Sequence, residues 1–252
     1  KQGICIDSWK RNFFDRVVIV VYPYCVYVHL LRFGLNFIYK VEQNLRYLSM
    51  DLEYKFDGVR EKFESVISKY ADSVEEPEEY YWYNRIYESP KFRMAHVEHY
   101  TGDPVEVIHV VIVPNTEDPI FGFDLVSIAG NTTLACGDLS PTVKETDWEH
   151  PFENEREVPD CADFFSDNVV FTTPEDDGEN IASWFAGRAE AYIEGLEPAE
   201  PTEEILRGQN EYMENQLQNA KTFKSLAADV GEEKAKKYMR EVMFPKVKIN
   251  EK

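Results

Sequence analysis

The sequence has few cysteines, and they do not follow the spacing of a metal site or a disulfide framework. Only four occur in 252 residues: Cys5, Cys25, Cys136 and Cys161. No two of them form a CxxC pair, and zinc sites and small secreted domains depend on such close, regular spacing. The pattern is typical of buried thiols in a reducing compartment and argues against a disulfide-stapled fold.

The sequence also lacks a positive balance of charge. Lysine and arginine number 27 against 47 acidic residues, which gives a formal net charge of −20. Nucleic acids are held mainly by basic side chains on the phosphates, so broad nucleic-acid binding is excluded. A local basic patch for an acidic protein partner remains open.

The motifs of several enzyme classes are missing. There is no GxGxxG after a predicted strand, no GxxxxGK[ST], no HExxH and no GxSxG. The sequence therefore does not indicate a dinucleotide-binding oxidoreductase, a P-loop nucleotidase, a zinc protease or an α/β-hydrolase. Redox chemistry, if the protein performs it, needs an electron source other than a bound nucleotide.

Long uncharged runs are nearly absent as well. The longest covers residues 17–31, which is short of the roughly 20 residues that a membrane span needs, and Arg32 follows it directly. We interpret residues 1–50 as an aromatic N-terminal extension. It is either a β-rich or helical arm packed on a neighbour, or a segment that contacts a membrane or protein complex through residues 11–40.

The remaining chain, residues 51–252, is predicted to form one domain. Helical spacing of apolar residues predicts an amphipathic helix over 51–70. Five strand-like runs follow at 80–88, 92–100, 105–113, 120–128 and 132–138, separated by short turns rich in Pro, Gly, Asn and Asp. Such short connections require antiparallel pairing, because parallel pairs need long crossovers.

Residues 143–252 begin with an acidic loop-rich stretch and then become helical. Helices are predicted at 181–196, 203–227 and 232–243. Helices that flank an antiparallel sheet make an α+β fold, here an α/β/α sandwich with a central antiparallel sheet.

Titratable residues lie in the middle of three of the predicted strands. Side chains of equal parity share a face of a strand, so His96 and Glu98 lie on the same face as His109 and Asp124 if neighbouring strands pair in register. A buried carboxylate without a partner is costly, whereas four such groups on one face can share protons and hydrogen bonds. We interpret them as an acid/base site.

Several sequence runs resemble the ferredoxin-dependent bilin reductases, most of all the branch that makes phycocyanobilin. They are SPKFRMAHVE at 89–98, VIHVVIVP at 107–114, PIFGFD at 119–124, GDLSPT at 137–142, NEREVP at 154–159, QNAKT at 218–222 and KYMREVMF at 237–244. The runs occur in order over residues 51–245, with compatible spacing, and residues 1–50 lie outside the resemblance.

The resemblance implies reduction of biliverdin by single electrons from a reduced [2Fe–2S] ferredoxin, with no bound metal or nicotinamide. It implies that the bilin lies between the sheet and the C-terminal helices. By the same resemblance Asp124 is the main proton donor, and His109 hydrogen-bonds the lactam region. Glu98 serves reduction of the D-ring vinyl group, and His96 supports this network.

The resemblance also assigns substrate-binding residues. Arg156 and Lys221 match the positions that bind the bilin propionates, with Asn219 and Thr133 as neutral neighbours. The implied partners are ferredoxin and the bilin. The implied location is a plastid, in the stroma or at the thylakoid, with the cyanobacterial cytoplasm as the alternative.

Two departures from the family leave a second hypothesis open. Ala220 stands where the family usually carries an aspartate that donates a proton to the A-ring side, and residues 1–50 are additional. The chain is therefore either an active reductase, which stops at a dihydrobiliverdin intermediate or reaches phycocyanobilin, or a silent pigment-binding subunit of a photosynthetic complex. For an active enzyme, the densest basic stretch is the expected ferredoxin site: Lys234, Lys236, Lys237, Arg240, Lys246 and Lys248.

Overall fold

A computed structural model describes most of the chain, which divides into two units, residues 1–53 and 54–252. The described residues are 17–22, 25–30, 35–40, 55–77, 79–102, 104–143, 164–166, 169–172 and 178–249. Only the backbone is described before residue 55, at 171–172 and at 178–180. Each unit is treated by itself below.

The first unit contains a small antiparallel sheet. Its strands are β1 (Val17–Tyr22), β2 (Cys25–Leu30) and β3 (Leu35–Lys40), paired in the order β1-β2-β3. The β-rich form of the arm is therefore the one observed. Within the described residues, no helix combines the length and apolar character needed to cross a bilayer.

The second unit is built on a seven-stranded sheet. Its strands are β4 (Ser73–Glu75), β5 (Tyr83–Glu88), β6 (Phe92–Thr101), β7 (Val105–Pro114), β8 (Ile120–Ile128), β9 (Asn131–Ser140) and β10 (Val170–Thr172). Every neighbouring pair is antiparallel, in the order β10-β9-β8-β7-β6-β5-β4. The predicted meander is confirmed as β5–β9. The edge strands β4 and β10 were not predicted, because three residues are too few to show an alternating pattern.

Helices cover both faces of this sheet. The helices α1 (Asp57–Ile67) and α2 (Gly178–Gly195) pack on one face, in a core that includes Phe63, Phe123 and Phe185. The other face is covered by α3 (Glu203–Gln216), α4 (Ala220–Val230) and α5 (Glu232–Tyr238), the last continued by a π-helical turn, Met239–Met243. The predicted α/β/α sandwich is confirmed.

Close packing of α2 against the sheet explains one glycine. A Cβ atom at Gly137 of β9 would clash with the ring of Phe185. That ring packs on Phe123 of β8 at 4.9 Å between centroids, and Phe123 packs in turn on Phe63 of α1 at 5.0 Å. The absence of a side chain at residue 137 therefore lets α2 approach the sheet.

Two helix predictions need correction. The first helix begins at Asp57 and not at residue 51, as had been predicted. Residues 51–54 lie outside the described residues. The predicted helix over 203–227 is broken after Gln216, because Asn219 caps a new helix. Its side-chain oxygen accepts from the backbone N–H groups of Lys221 (3.1 Å) and Thr222 (3.2 Å), and asparagine favours such capping over a helix interior.

Candidate active site

A row of polar residues crosses the sheet on the face covered by α3–α5. The strand register places Glu98 of β6 between Asn84 of β5 and His109 of β7, and it places Asp124 of β8 between His109 and Cys136 of β9. His96 lies two residues before Glu98 on the same face of β6. The structure thus brings together all four residues of the predicted acid/base cluster. The in-register pairing on which that prediction depended is observed.

His109 and Asp124 form a direct pair. The Nδ1 atom of His109 lies 2.8 Å from Oδ1 of Asp124, and the Asp124 side chain keeps 30% of its surface exposed. Burial by itself lowers the pKa of His109, but the carboxylates of Asp124 and Glu98 more than offset this and raise it above its usual value. The Nε2 atom of His109 is buried and has no hydrogen-bond partner among the residues that the structure describes. The imidazole can therefore present a proton at Nε2 while Nδ1 stays bound to Asp124.

Glu98 is a nearly fully buried carboxyl group, with 3% of its surface exposed. Burial raises the pKa of Glu98 to about 7, and the Asp124 carboxylate adds to this rise. His109 and hydrogen bonds from Tyr238 and Trp82 act in the opposite direction. A carboxyl group with this pKa can both hold and release a proton near neutral pH, as a general acid must.

His96 is held by a network that reaches back to β5. Its Nε2 atom lies 3.1 Å from Oδ1 of Asn84, which also accepts a hydrogen bond from the hydroxyl group of Tyr238. Trp82 donates from Nε1 to the same hydroxyl group at 3.1 Å. Burial, aided by His109, lowers the pKa of His96 well below its usual value. His96 is therefore neutral at physiological pH.

The sheet surface beside this row is open. One step along the strands, Gly122 lies between Val111 and Asp138, and among the described residues no atom lies within 4 Å of where its Cβ would stand. Tyr212 of α3 borders the same region: burial raises the pKa of its phenol, and the carboxylates of Asp138 and Asp124 raise it further. A flat ligand can thus approach the backbone at Gly122.

The predicted substrate-binding residues that the structure describes lie on β9 and at the start of α4. Thr133 lies in a β-bulge of β9 and donates to the Val126 carbonyl at 3.3 Å. Asn219 caps α4, and Lys221 is exposed in the first turn of that helix. Arg156 lies outside the described residues. Within the part of the chain that the structure describes, no hydrogen bond or ion pair joins Thr133, Asn219 or Lys221 to the acid/base row.

Three network residues were missed by sequence reasoning: Asn84, Trp82 and Tyr238. Asn84 could have been found, because it lies within a predicted strand and the same parity argument applies to it. Tyr238 could not, because nothing in a helical sequence specifies which strand residue its hydroxyl group will meet.

The opposite face of the sheet has different features. His99 lies on this side, and its Nε2 atom is 2.9 Å from Oε1 of Glu106. His99 and His96 therefore do not form a pair, as their places on opposite faces of the strand predicted. A surface cleft on this side is lined by Phe121, Leu139, Arg188, Ala191 and Tyr192. The described residues that line this cleft include no carboxylate or imidazole that could donate a proton. Among the described residues, no group of three or more potential ligands is placed to hold a metal ion.

Comparison with known proteins identifies similar chains. The family profile described as ferredoxin-dependent bilin reductase matches residues 46–245. The phycocyanobilin:ferredoxin oxidoreductase of Prochlorococcus marinus is 33% identical over 189 residues, which cover 66% of this chain and 76% of the relative. The protein of that name from Trichodesmium erythraeum is 29% identical over 185 residues, covering 64% and 75%. The solved structure of PcyX matches with a TM-score of 0.55 and 22% identity, over 76% of this chain and 98% of that one, which supports the fold.

Proposed function

This chain belongs to the ferredoxin-dependent bilin reductases, and from that membership we propose that it reduces biliverdin to a phycobilin in single-electron steps. The observation that carries the proposal is the row of Glu98, His109 and Asp124 across three adjacent strands. Reduction of one double bond requires two electrons and two protons. Ferredoxin supplies electrons, so the protein must supply protons at defined carbons.

Asp124 is proposed as the principal proton donor. It is the most exposed member of the row, it hydrogen-bonds His109, and it lies one step from the open surface at Gly122. His109 holds this carboxyl group and offers Nε2–H to the substrate. Glu98, with its pKa near neutral, stores the next proton. Because these groups interact strongly, their protons belong to the cluster and not to single residues.

The bilin is proposed to lie between the sheet and α3–α5, over Gly122. Two cations are proposed for its propionates, Arg156 and Lys221, with Asn219 and Thr133 beside them. Arginine provides a two-pronged donor and lysine a point charge, which suits two carboxylates. For Lys221, exposure at the start of α4 is compatible with this role.

The product and the location are proposals of the same kind. Relatives named phycocyanobilin:ferredoxin oxidoreductase favour phycocyanobilin, whereas the methyl group of Ala220 cannot donate a proton and favours a dihydrobiliverdin that accumulates. The relatives are cyanobacterial, which favours the cyanobacterial cytoplasm; a plastid is the alternative that the resemblance implies.

An anaerobic absorbance experiment tests the proposal. Biliverdin is added to the protein, and reduced ferredoxin follows. The expected result is a spectral shift on binding and then loss of the biliverdin bands, with the products separated by chromatography at long times. Binding without any turnover would contradict the proposed reduction and favour a pigment-binding role. No binding would contradict both.

A further inference from the structure

Asn84 has a buried amide whose orientation is fixed by its partners. Its Nδ2 group donates to the backbone carbonyl of Trp82 at 3.2 Å, an atom that can only accept. Its Oδ1 atom accepts from the hydroxyl group of Tyr238 and lies 3.1 Å from Nε2 of His96. Because an amide oxygen can only accept a hydrogen bond, Nε2 of His96 must carry the proton in this contact.

The second ring nitrogen of His96 is left without a partner. Nδ1 is buried and accepts no hydrogen bond from any residue that the structure describes. His96 is fully buried, and burial together with the neighbouring His109 lowers its pKa, so the ring carries one proton only. With that proton on Nε2, Nδ1 is a lone-pair acceptor. A buried polar atom without a partner is unfavourable, and a ligand that donates an N–H group would satisfy it.

We propose that Asn84 is a positioning residue that holds His96 in the Nε2–H tautomer, so that Nδ1 accepts a hydrogen bond from an N–H group of the substrate. The ligand part of this inference rests on the proposed function. His109 complements the arrangement: its Nδ1 is bound to Asp124, and its Nε2 is the unpartnered donor. The two imidazoles, 5.9 Å apart between ring centroids, thus offer one acceptor and one donor. The lactam edge of a bilin carries both an N–H and a C=O group, which match them.

Tyr238 allows the role of Asn84 to be separated from that of the wider network. The Tyr238 hydroxyl group donates its proton to Asn84 and, among the described residues, has no hydrogen bond to His96, whereas it lowers the pKa of Glu98. Tyr238→Phe should therefore disturb Glu98 while leaving the Asn84–His96 bond in place. Asn84→Asp should keep an oxygen acceptor for Nε2, whereas Asn84→Leu has a similar shape and no acceptor.

The test is ¹⁵N NMR of the histidine rings in the full chain, without substrate, with the His96 signals assigned from a His96→Gln sample. We expect His96 to be the Nε2–H tautomer in the wild type, in Tyr238→Phe and in Asn84→Asp. We expect Asn84→Leu to show Nδ1–H or a mixture; if this variant does not fold, Asn84→Ala replaces it. A wild-type ring protonated at Nδ1, or an unmixed Nε2–H ring in the variant without an acceptor, would overturn the assignment.

Asn115 provides the matched control. It is a buried asparagine directly after β7, but its Nδ2 group donates to the carbonyls of Ser89 and Pro90, away from the row. Asn115→Leu should leave the His96 tautomer unchanged. With biliverdin and ferredoxin, Asn84→Leu should lower kcat about tenfold or more relative to the control, as loss of an orienting partner does elsewhere, and Asn84→Asp should lose less.

The two parts of the inference can fail separately. An altered His96 tautomer with kcat equal to that of the Asn115 variant would overturn the catalytic part and leave the tautomer assignment standing. If the wild type does not reduce biliverdin at all, the proposed function fails, while the NMR spectra still decide the Asn84–His96 bond.

Discussion

The acid chemistry of Asp124 can be removed with little change in the shape of its side chain. Asp124→Asn keeps a hydrogen-bonding group beside His109 but cannot deliver the proton. We expect the variant to bind biliverdin, to accept one electron and to accumulate a bilin radical, with turnover lower by about 10²–10⁴-fold, the range for loss of a general acid. Electron paramagnetic resonance detects the radical.

The control is Asp118→Asn. Asp118 lies in the β7–β8 loop, where it accepts a hydrogen bond from the hydroxyl group of Thr116. Wild-type turnover in Asp124→Asn would remove Asp124 from the mechanism.

Gly122 tests where the ligand lies. A leucine at this position would extend from the sheet into the open region beside Asp124, where the planar tetrapyrrole is proposed to lie. We expect Gly122→Leu to fold and to lose biliverdin affinity by at least about tenfold, because the side chain fills the ligand's space. Gly187→Leu adds the same atoms on α2, where a Cβ also meets nothing within 4 Å. Equal affinity in the two variants, measured by absorbance titration, would place the bilin elsewhere.

Glu98 should make the folding stability depend on pH. Its pKa is about 7 in the folded protein, against an ordinary value of 4.5, so the unfolded chain releases this proton first as the pH rises. Stability is therefore lost between about pH 4.5 and about pH 7, by up to ~3 kcal/mol. Glu98→Gln removes this dependence. In urea unfolding, the variant should gain stability relative to the wild type as the pH rises from about 4.5 to about 7. The substitution of the exposed Glu88 by Gln is the control and should show no such gain. If the free energy of unfolding of Glu98→Gln changed with pH in parallel with that of the wild type, the raised pKa of Glu98 would be contradicted.

At the scale of elements, the central strands were predictable and the C-terminal helices were less so. The strands β5–β9 alternate clearly and are joined by recognisable turns, and parity then placed His96, Glu98, His109 and Asp124 on one face. The break after Gln216 was hidden, because helical periodicity continues on both sides of it. Only the capping geometry of Asn219 shows that α3 and α4 are separate helices.

Asn219 has two proposed roles, and they can be separated. As the N-cap of α4 it satisfies two backbone N–H groups, so Asn219→Ala should cost about 1 kcal/mol of stability. Asn219→Asp keeps the cap and should retain stability. If Asn219 also binds the bilin through its amide, both variants should lose biliverdin affinity. Chemical denaturation and absorbance titration measure the two effects. Loss of affinity in the alanine variant alone would mean that Asn219 acts only through the helix.

At the scale of the whole molecule, electron delivery must overcome an unfavourable charge. The chain has a formal net charge of −20, and ferredoxins are acidic as well. Long-range attraction is therefore absent, and docking must depend on a local patch of basic residues. Six of the 27 basic residues lie within residues 234–248, and all six are exposed. On its inner side the same segment contacts the site, through the Tyr238 hydroxyl group on Asn84 and the Phe244 ring 5.8 Å from that of His109. An electron that arrives at this patch therefore has one helix to cross.

Three cations of this patch are available for a partner. Lys236, Lys237 and Lys246 pair with acidic residues of this chain, whereas Lys234, Arg240 and Lys248 have no ion pair among the described residues. Reversal of these three to Glu should lower kcat/KM for ferredoxin by about tenfold or more at low salt, with a smaller loss as salt rises. Biliverdin affinity should stay unchanged. The control reverses Lys62 of α1, Lys69 just after α1 and Arg188 of α2, which changes the net charge equally. Equal losses in both triple variants would show that net charge, and not this patch, governs the encounter.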